Sequence, residues 1–377
     1  MPKRLQPIVV GGLAALLAAA APLALPHGRA AAAAVTTQFT CQARVVSARP
    51  GAGLLVVRLR SGTRTIMAPG PRTVTIRLAA KAALVDATHE ATPLSVRKLV
   101  RGAIVRLSGT VTRGASATPR CVATRVSLQS LPAGTLLWSD EFSGPSGAPP
   151  DPRNWAIDTG GSGFGNDELE LYTSRARNVA LDGRGHLAIT ALRETCSGDG
   201  CTRAYTSARI EGLGKHSLTY GSIRARIRLP AGQGLWPAFW ALGSDVDEVG
   251  WPGSGEIDIM ENLGQAPFTA YGSIHGPAGD GASAYGLTTA VRSATSLARA
   301  FHVYGVDWSP DRLRMTLDGV PYATYTPRSL SAGQQWVFDH PFFLVLDLAV
   351  GGDWPGAPAA TTPFPATMLV DWVRVYS

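Results

Sequence analysis

Short segments in which apolar and polar residues partly alternate, rich in β-branched side chains, recur along the chain. Such alternation over four to eight residues indicates β-strands with one buried face. Helical periodicity over longer windows is scarce, so the pattern predicts an all-β protein. The clearest predicted strands begin at Leu54, Thr73, Ala103, Gly185, Tyr220, Phe301, Leu313, Phe342 and Met368.

Composition divides the chain into two regions. Residues 35–134 contain 15 Lys and Arg against two acids, Asp86 and Glu90, a net charge of +13, whereas residues 135–377 carry −8. All nine Trp and all nine Tyr lie beyond residue 134, and Phe39 is the one aromatic residue of the basic region. This contrast predicts a small basic β domain over residues 35–130, a linker over 131–136 and a larger β domain over 137–377.

The strands expected in residues 35–130 fit a small β-barrel-like domain of five or six strands, of the oligonucleotide/oligosaccharide-binding (OB) type. Its positive charge indicates an anionic partner, and for an exported protein this favours an anionic cell wall over nucleic acid. The region lacks Trp and Tyr, so it has few platforms on which sugar rings or unpaired bases could stack. A spacer or a charge-based anchor is therefore favoured.

The start of the chain resembles an export signal. Lys3 and Arg4 precede an apolar stretch that is interrupted by Gly11 and Pro22 and is followed by a tract of small residues ending at Ala34. A membrane anchor is the alternative, and the interruptions disfavour it. We therefore expect residues 1–34 to be a signal peptide and the mature protein to be secreted and extracellular.

Four cysteines suit an extracellular protein that contains disulfides. Cys196 and Cys201 bracket a four-residue loop, and Cys41 and Cys121 lie near the two ends of the basic region. We predict these two pairings. A metal site made by four cysteines is the alternative, but their spacing is unlike that of a zinc module.

Residues 256–262 carry the most informative pattern, with acids at positions 256, 258 and 261. Side chains alternate faces along a strand, so Glu256 and Asp258 share a face, and a β-bulge near Ile259 and Met260 would return Glu261 to it. Like charges this close resist ionisation together. One ionised and one protonated carboxyl are what retaining glycoside hydrolysis requires. A half-buried strand whose acids face water is the alternative.

Seven motifs together resemble glycoside hydrolase family 16, in particular its laminarinase branch, over residues 137–377. They are WSDEF from 138, GNDELELYT from 165, YGSIRAR from 220, GLWPAFW from 234, WPGSGEIDIME from 251, AVGGDWPG from 349 and DWVRVY from 371. The resemblance implies a β-jelly-roll sandwich with an open glycan cleft. It also implies retaining endo-hydrolysis of laminarin-type β-1,3-glucan, since the Glu-x-Asp-x-x-Glu spacing is typical of this branch.

The resemblance also implies roles for individual residues. Glu256 would be the nucleophile, Asp258 its assistant and Glu261 the acid/base. Asp371 resembles a ligand for a structural Ca²⁺, with a plain strand acid as the alternative, and no cofactor is required for the reaction. The implied substrate-binding residues are Trp236, Trp240, Asn166, Arg209, Trp251 and His275.

Three positions depart from the family pattern. Glu170 stands where Gln is frequent, and Asp347 and Asp353 stand where Asn is common, so negative charge is added near the expected cleft. Mixed-linkage 1,3-1,4-glucan or another β-glycan is an alternative substrate. A non-catalytic β-glucan-binding protein on the same fold is a further alternative, disfavoured by the three acids. We expect a monomer that binds β-glucan and no nucleic acid.

Overall fold

The computed structural model describes residues 35–49, 52–62, 73–86, 92–93, 99, 103–113, 120–130, 134–198, 201–279 and 281–377. The predicted signal peptide, residues 1–34, lies outside this set. No helix within the set is long and apolar enough to cross a membrane.

Six strands form a first, barrel-like unit: β1 (Val35–Arg49), β2 (Leu54–Gly62), β3 (Thr73–Asp86), β4 (Thr92–Pro93), β5 (Ile104–Arg113) and β6 (Arg120–Ser130). Their order is β2-β1-β5-β6-β3-β4, and an additional β2–β3 pairing closes five of them into a ring in which β3 and β6 run parallel. The expected small β-barrel-like domain is thus confirmed. Its assignment to the OB type stays a prediction.

Alternate residues of these strands point into the barrel and form its core. Phe39, Ala43 and Val45 of β1 are buried. Gly109 permits close packing of β5 against β6, because a Cβ there would lie 2.0 Å from the carbonyl oxygen of Val122. Phe39 is only 2% exposed. The one aromatic ring of this region therefore belongs to the core and offers no surface for stacking a sugar.

The remaining strands form a second unit. They are β7 (Leu136–Asp140), β8 (Ala156–Asp158), β9 (Glu170–Tyr172), β10 (Val179–Leu181), β11 (Leu187–Gly198), β12 (Cys201–Ser207), β13 (Arg209–Glu211), β14 (Gly221–Arg228), β15 (Leu235–Gly243), β16 (Glu256–Glu261), β17 (Thr269–Ala278), β18 (Ser283–Arg292), β19 (His302–Ser309), β20 (Arg312–Leu317), β21 (Val320–Tyr325), β22 (Phe342–Val350) and β23 (Ala366–Tyr376). A helical turn, Val246–Val249, and a 3₁₀ turn, Pro327–Ser329, lie between strands.

These strands make two sheets that pack face to face. The larger sheet follows β21-β20-β19-β14-β23-β11-β12-β9, with β10 beside β11 and β7 beside β23, and the smaller follows β18-β17-β16-β15-β22-β13-β8. Alternate residues of both sheets, such as Ile223 of β14 and Phe239 of β15, share one apolar core. Burying each such side chain contributes roughly 1.5–3 kcal/mol. The expected jelly-roll sandwich is confirmed, and every strand singled out in the sequence begins within two residues of an observed one.

The second unit begins before residue 137. Strand β7 starts at Leu136, the backbone N–H of Gly134 donates to the carbonyl oxygen of Ser377 at 2.8 Å, and the N–H of Ser377 donates to the carbonyl oxygen of Thr135 at 2.9 Å. Residues 134–136 of the predicted linker are therefore part of the folded unit, and residues 131–133 lie outside the described set.

The cysteine predictions concern two places in this fold. Cys41 and Cys121 both lie in the barrel core, where burial and the neighbouring Cys121 raise the pKa of the Cys41 thiol to about 12. Cys196 is half-buried on β11, and the side chain of Cys201 lies outside the described residues. Both disulfides therefore stay predictions.

Candidate active site

A bulge in β16 brings its three acids to one face of the smaller sheet. Against β15 the register shifts between Phe239 and Trp240 and leaves Ile259 as the extra residue, and against β17 it shifts between Asp258 and Glu261. The bulge expected near Ile259 and Met260 is confirmed. Because Ile259 packs into the core, the acids face away from it, on the open side of the sheet.

These three carboxyls lie in a poorly solvated environment. Asp258 and Glu261 are 4% and 9% exposed, and Glu256 is half-buried. Burial raises the pKa of Glu256 to about 8, that of Asp258 to about 7, and that of Glu261 well above its usual value, and Asp258 adds a repulsive contribution for both glutamates. The cluster therefore retains protons at neutral pH, as a general acid must.

Each acid also has its own neighbour. The indole N–H of Trp251 donates to Oε2 of Glu256 at 3.0 Å, and that of Trp236 donates to Oε1 of Glu261 at 3.1 Å. These N–H groups stabilise the charged forms of the two glutamates.

Asp258 lies beside a histidine. The Nε2 atom of His275 is 3.1 Å from Oδ2 of Asp258, and the strand register places His275 directly opposite Glu256. His275 lowers the pKa of both Glu256 and Glu261. The histidine therefore lies within the acid cluster, next to Glu256 and Asp258.

The pairing of neighbouring strands aligns one residue from each of five strands in a row across the open face of the sheet, beginning at the acid cluster. At ~4.8 Å per strand the row is ~19 Å long, enough for several consecutive sugar rings. The small side chain of Ala238 leaves space above the sheet beside the acids. The row consists of Glu261, Ala238, Asp347, Arg209 and Asp158, on β16, β15, β22, β13 and β8.

Asp347 organises the far side of this row. It is 6% exposed, and its Oδ1 accepts the indole N–H of Trp240 at 2.7 Å while the Tyr172 hydroxyl lies 3.4 Å from its Oδ2. The Arg209 guanidinium sits 4.8 Å from the centroid of the Trp240 ring and 5.1 Å from that of Phe164. Burial raises the pKa of Asp347 to about 7, although Arg209 opposes this. Trp240 is thus held by Asp347 at its indole N–H and by the Arg209 guanidinium on one face of its ring.

A loop before β9 borders the same end of the row. Asn166 donates from Nδ2 to Oε1 of Glu168 at 3.1 Å, and the Tyr172 hydroxyl donates to Oε2 of Glu168 at 3.0 Å. Gly352 allows this loop to approach Trp236: its φ is 101°, and a Cβ there would lie 2.9 Å from the Asn166 carbonyl oxygen and 3.4 Å from the Trp236 ring.

Glu170 lies beneath this loop and is 1% exposed. The backbone N–H of Val350 donates to its Oε2 at 2.6 Å. Burial, followed by the charge of Glu168, raises the pKa of Glu170 well above its usual value. Burial therefore favours the protonated form of Glu170, as it does for Asp347. The negative charge expected at these two positions stays a prediction, and burial opposes the ionisation of both carboxyls.

Comparison with known proteins identifies the family of the chain that carries this face. The sequence model for glycosyl hydrolases family 16 matches residues 165–374, which include the bulged strand and the whole row except Asp158. The chain belongs to glycosyl hydrolase family 16.

Relatives of known structure agree with this assignment. The endo-β-1,3-glucanase from Pyrococcus furiosus is 44% identical, with a TM-score of 0.59 over 64% of this chain and 94% of that structure. The laminarinase catalytic domain from Thermotoga maritima is 41% identical, with a TM-score of 0.60 over 65% and 99%. The beta-glucanase from Rhodothermus marinus is 41% identical over 65% of this chain and 86% of its own length.

The calcium site that the family resemblance implies at Asp371 does not fit its surroundings. Calcium takes six to eight oxygen ligands. The carboxylate of Asp371 instead accepts a hydrogen bond from Arg226, and His186 Nε2 is 3.9 Å from its other oxygen. Among the described residues, the group of three potential ligands that lies within 4.8 Å is Glu256, Asp258 and His275, the acid cluster itself.

Several residues of the family 16 site were missed by sequence reasoning. Ser273 donates to Oε2 of Glu261 at 3.3 Å. The exposed Trp354 packs edge-on against Trp236, with ring centroids 5.7 Å apart, and against Tyr271 at 4.8 Å, extending the aromatic wall beside the acid cluster. The sequence offered a reason to single out Trp354, because this large aromatic residue closely follows two consecutive glycines that indicate a turn.

Proposed function

We propose that this family 16 enzyme hydrolyses internal linkages of β-1,3-glucan with retention of configuration. The observation that carries the proposal is the bulged β16 strand, which lines up two glutamates and an aspartate in surroundings that raise their pKa values. In this proposal Glu256 is the nucleophile, Glu261 the acid/base, and Asp258 the residue that holds and tunes Glu256.

The proposed reaction is a double displacement. An oxygen of Glu256 attacks the anomeric carbon, and the glycosidic bond breaks as Glu261 gives its proton to the leaving oxygen. Glu261, now ionised, removes a proton from a water molecule, which attacks the same carbon and releases Glu256. The N–H of Trp251 and the neighbouring His275 favour the ionised nucleophile that the first step requires. The burial of Glu261, which raises its pKa well above the usual value, supports its role as the proton donor.

Three features support β-1,3-glucan as the substrate. The relatives described above are named as endo-β-1,3-glucanase, laminarinase or beta-glucanase. The bulged spacing of the acids supports the laminarinase branch over mixed-linkage enzymes. Trp236 and Trp240 flank Ala238 on the open face, where ring stacking with sugars is available.

Product analysis on three polysaccharides tests this proposal. The purified enzyme should release oligosaccharides from laminarin faster than from the mixed-linkage glucan lichenan, and none from agarose. Proton NMR during early turnover should detect the β-anomer first, since two inversions retain configuration. The Glu256→Gln variant is the control for contaminating activity. Preferred cleavage of lichenan would refute the linkage, and first appearance of the α-anomer would refute the mechanism.

We also propose that the enzyme is exported, acts as a monomer and is held at an anionic cell wall by its first unit. The start of the sequence supports export, and the net charge of +13 over residues 35–134 supports attachment by charge. Sedimentation of the full chain with isolated anionic wall material should decrease as salt rises from 0.1 to 1 M, since the Debye length falls from about 10 to 3 Å. Retention that is firm at 1 M salt would refute a charge-based attachment.

A further inference from the structure

Four arginines form a continuous ladder on the outer face of the small barrel. Arg58 of β2 lies directly opposite Arg44 of β1. On the next strand, β5, Arg106 is the diagonal neighbour of Arg44, whose own partner is Ile104. On β6, Arg125 is the diagonal neighbour of Arg106, which is paired with Ser127, while Ser108 faces Arg125.

A shallow groove runs along the β5–β6 end of this arginine ladder. It has a volume of about 300 Å³ and is lined by Thr40, Arg106, Ser108, Arg125 and Ser127. Two guanidinium groups with hydroxyl side chains between them are a donor-rich surface, suited to the oxygens of phosphate or carboxylate groups.

This ladder has no evident structural purpose. All four side chains are exposed, and the directly opposed pair, Arg44 and Arg58, destabilises the pairing of β1 with β2 because like charges repel. Asp86 and Glu90 are the only acids in residues 35–134, and neither side chain is among those described. Within the described residues, no carboxylate pairs with any of the four guanidinium groups. A set of aligned charges that costs stability indicates a ligand that compensates for the repulsion.

The dimensions of the ladder indicate what kind of ligand this is. Four neighbouring strands at ~4.8 Å spacing give a row ~15 Å long. A single small anion would contact only one or two of the guanidinium groups. A polymer with a charge on each repeat could contact all four.

We propose that the arginine ladder is the surface through which this enzyme binds an extended polyanion, a wall polysaccharide or polyol that bears a phosphate or carboxylate group on each repeat. This inference rests on the attachment by charge proposed above and assigns it to one face of the barrel. Arg binds both kinds of group through paired N–H donors. The absence of an exposed aromatic ring among the described residues of this unit is consistent with a ligand that is held by charge rather than by stacking.

Binding of the full chain to immobilised polyphosphate and to immobilised polygalacturonate tests this assignment. The ladder variant combines Arg44→Gln, Arg58→Gln, Arg106→Gln and Arg125→Gln. The matched control combines Arg49→Gln, Arg77→Gln, Lys81→Gln and Arg120→Gln, four exposed residues of the same unit, so that both variants lose the same net charge. Circular dichroism reports whether each variant is folded, and laminarin hydrolysis reports whether its second unit is intact.

At 0.1 M salt the ladder variant should bind at least one of the two polymers about tenfold or more weakly than the wild type, and the control should lose far less. The slope of log affinity against log salt should also decrease, by roughly 0.7–0.9 for each lost contact if these polymers resemble nucleic acid phosphates. Whichever polymer binds more tightly identifies the phosphate or the carboxylate as the natural group.

Three outcomes would overturn the inference. Equal losses in both variants would mean that net charge alone is responsible, and absence of binding by the wild type would remove the surface altogether. Tighter binding of duplex DNA than of either polymer, lost in the ladder variant, would assign the surface to nucleic acid. Failure of the wild type to hydrolyse laminarin would instead refute the proposed catalytic function and leave the binding result unaffected.

Discussion

Replacement of Glu170 by Gln should stabilise the protein increasingly as pH rises. Glu170 is 1% exposed, and one of its oxygens accepts the backbone N–H of Val350 at 2.6 Å. The amide oxygen of Gln can retain that bond, and its NH₂ group can donate to Glu168. Burial raises the pKa of Glu170 well above 4.5, so the folded protein retains a proton that the unfolded chain releases.

The sign and the size of the effect follow from this difference in proton binding. A carboxyl whose pKa is raised on folding contributes its full stability below the unfolded-state pKa and loses it as pH rises toward the folded-state pKa. Each pH unit in that interval is worth up to about 1.4 kcal/mol. Within the interval between the two pKa values, the advantage of Glu170→Gln should therefore grow by up to that amount for each pH unit. For a unit of this size, each kcal/mol of this advantage corresponds to roughly 2–4 °C in Tm.

Equilibrium unfolding in urea at pH 4.5, 6.0 and 7.5 measures this advantage. Glu248→Gln is the control, because Glu248 is exposed on the helical turn and its replacement should change the free energy of unfolding little at any pH. An advantage for Glu170→Gln that stays constant across the three pH values would refute the reasoning. So would destabilisation at pH 7.5, since the variant would then have lost an interaction that the ionised carboxylate makes.

Three further predictions concern other parts of the chain. His275→Gln should move the acid limb of the kcat/KM profile to higher pH, because His275 lowers the pKa of Glu256; an unchanged limb would contradict this electrostatic role. Asp347→Ala should reduce kcat/KM on laminarin about tenfold through loss of the 2.7 Å bond to Trp240, whereas Asp347→Asn, which keeps an acceptor, should retain most activity; equal losses would show that positioning of Trp240 is not the reason. Mass spectrometry of the exported protein should find Cys41 joined to Cys121 and Cys196 joined to Cys201, and free thiols at all four positions would contradict both pairings.

Features that depend on local sequence could be predicted. The apolar run over residues 342–350 and the alternation along residues 368–376 identify two central strands. The spacing of Glu256, Asp258 and Glu261 requires a bulge if all three are to share a face, whichever strands lie beside it. The change in charge and aromatic content near residue 134 likewise predicts a domain boundary there.

Features that depend on which strands become neighbours could not be predicted. Asp347 acquires its place because β22 lies between β15 and β13, an arrangement that joins residues more than 100 positions apart. A signal was present, since Asp347 is the one charged residue in an otherwise apolar strand, and a buried acid requires partners. The surroundings of Asp371 also depended on pairing, because its partner Arg226 comes from β14, which lies beside β23.

The assignment of the two glutamates is the central claim, and azide rescue tests it most directly. The Glu261→Ala variant would be incubated with an aryl β-laminaribioside that carries an activated leaving group, which needs no proton donor for the first step. Azide should then restore turnover, and NMR should identify a β-glycosyl azide, because azide replaces water in attacking the Glu256 intermediate. Formation of an α-glycosyl azide would contradict the account, since it would make Glu261 the nucleophile.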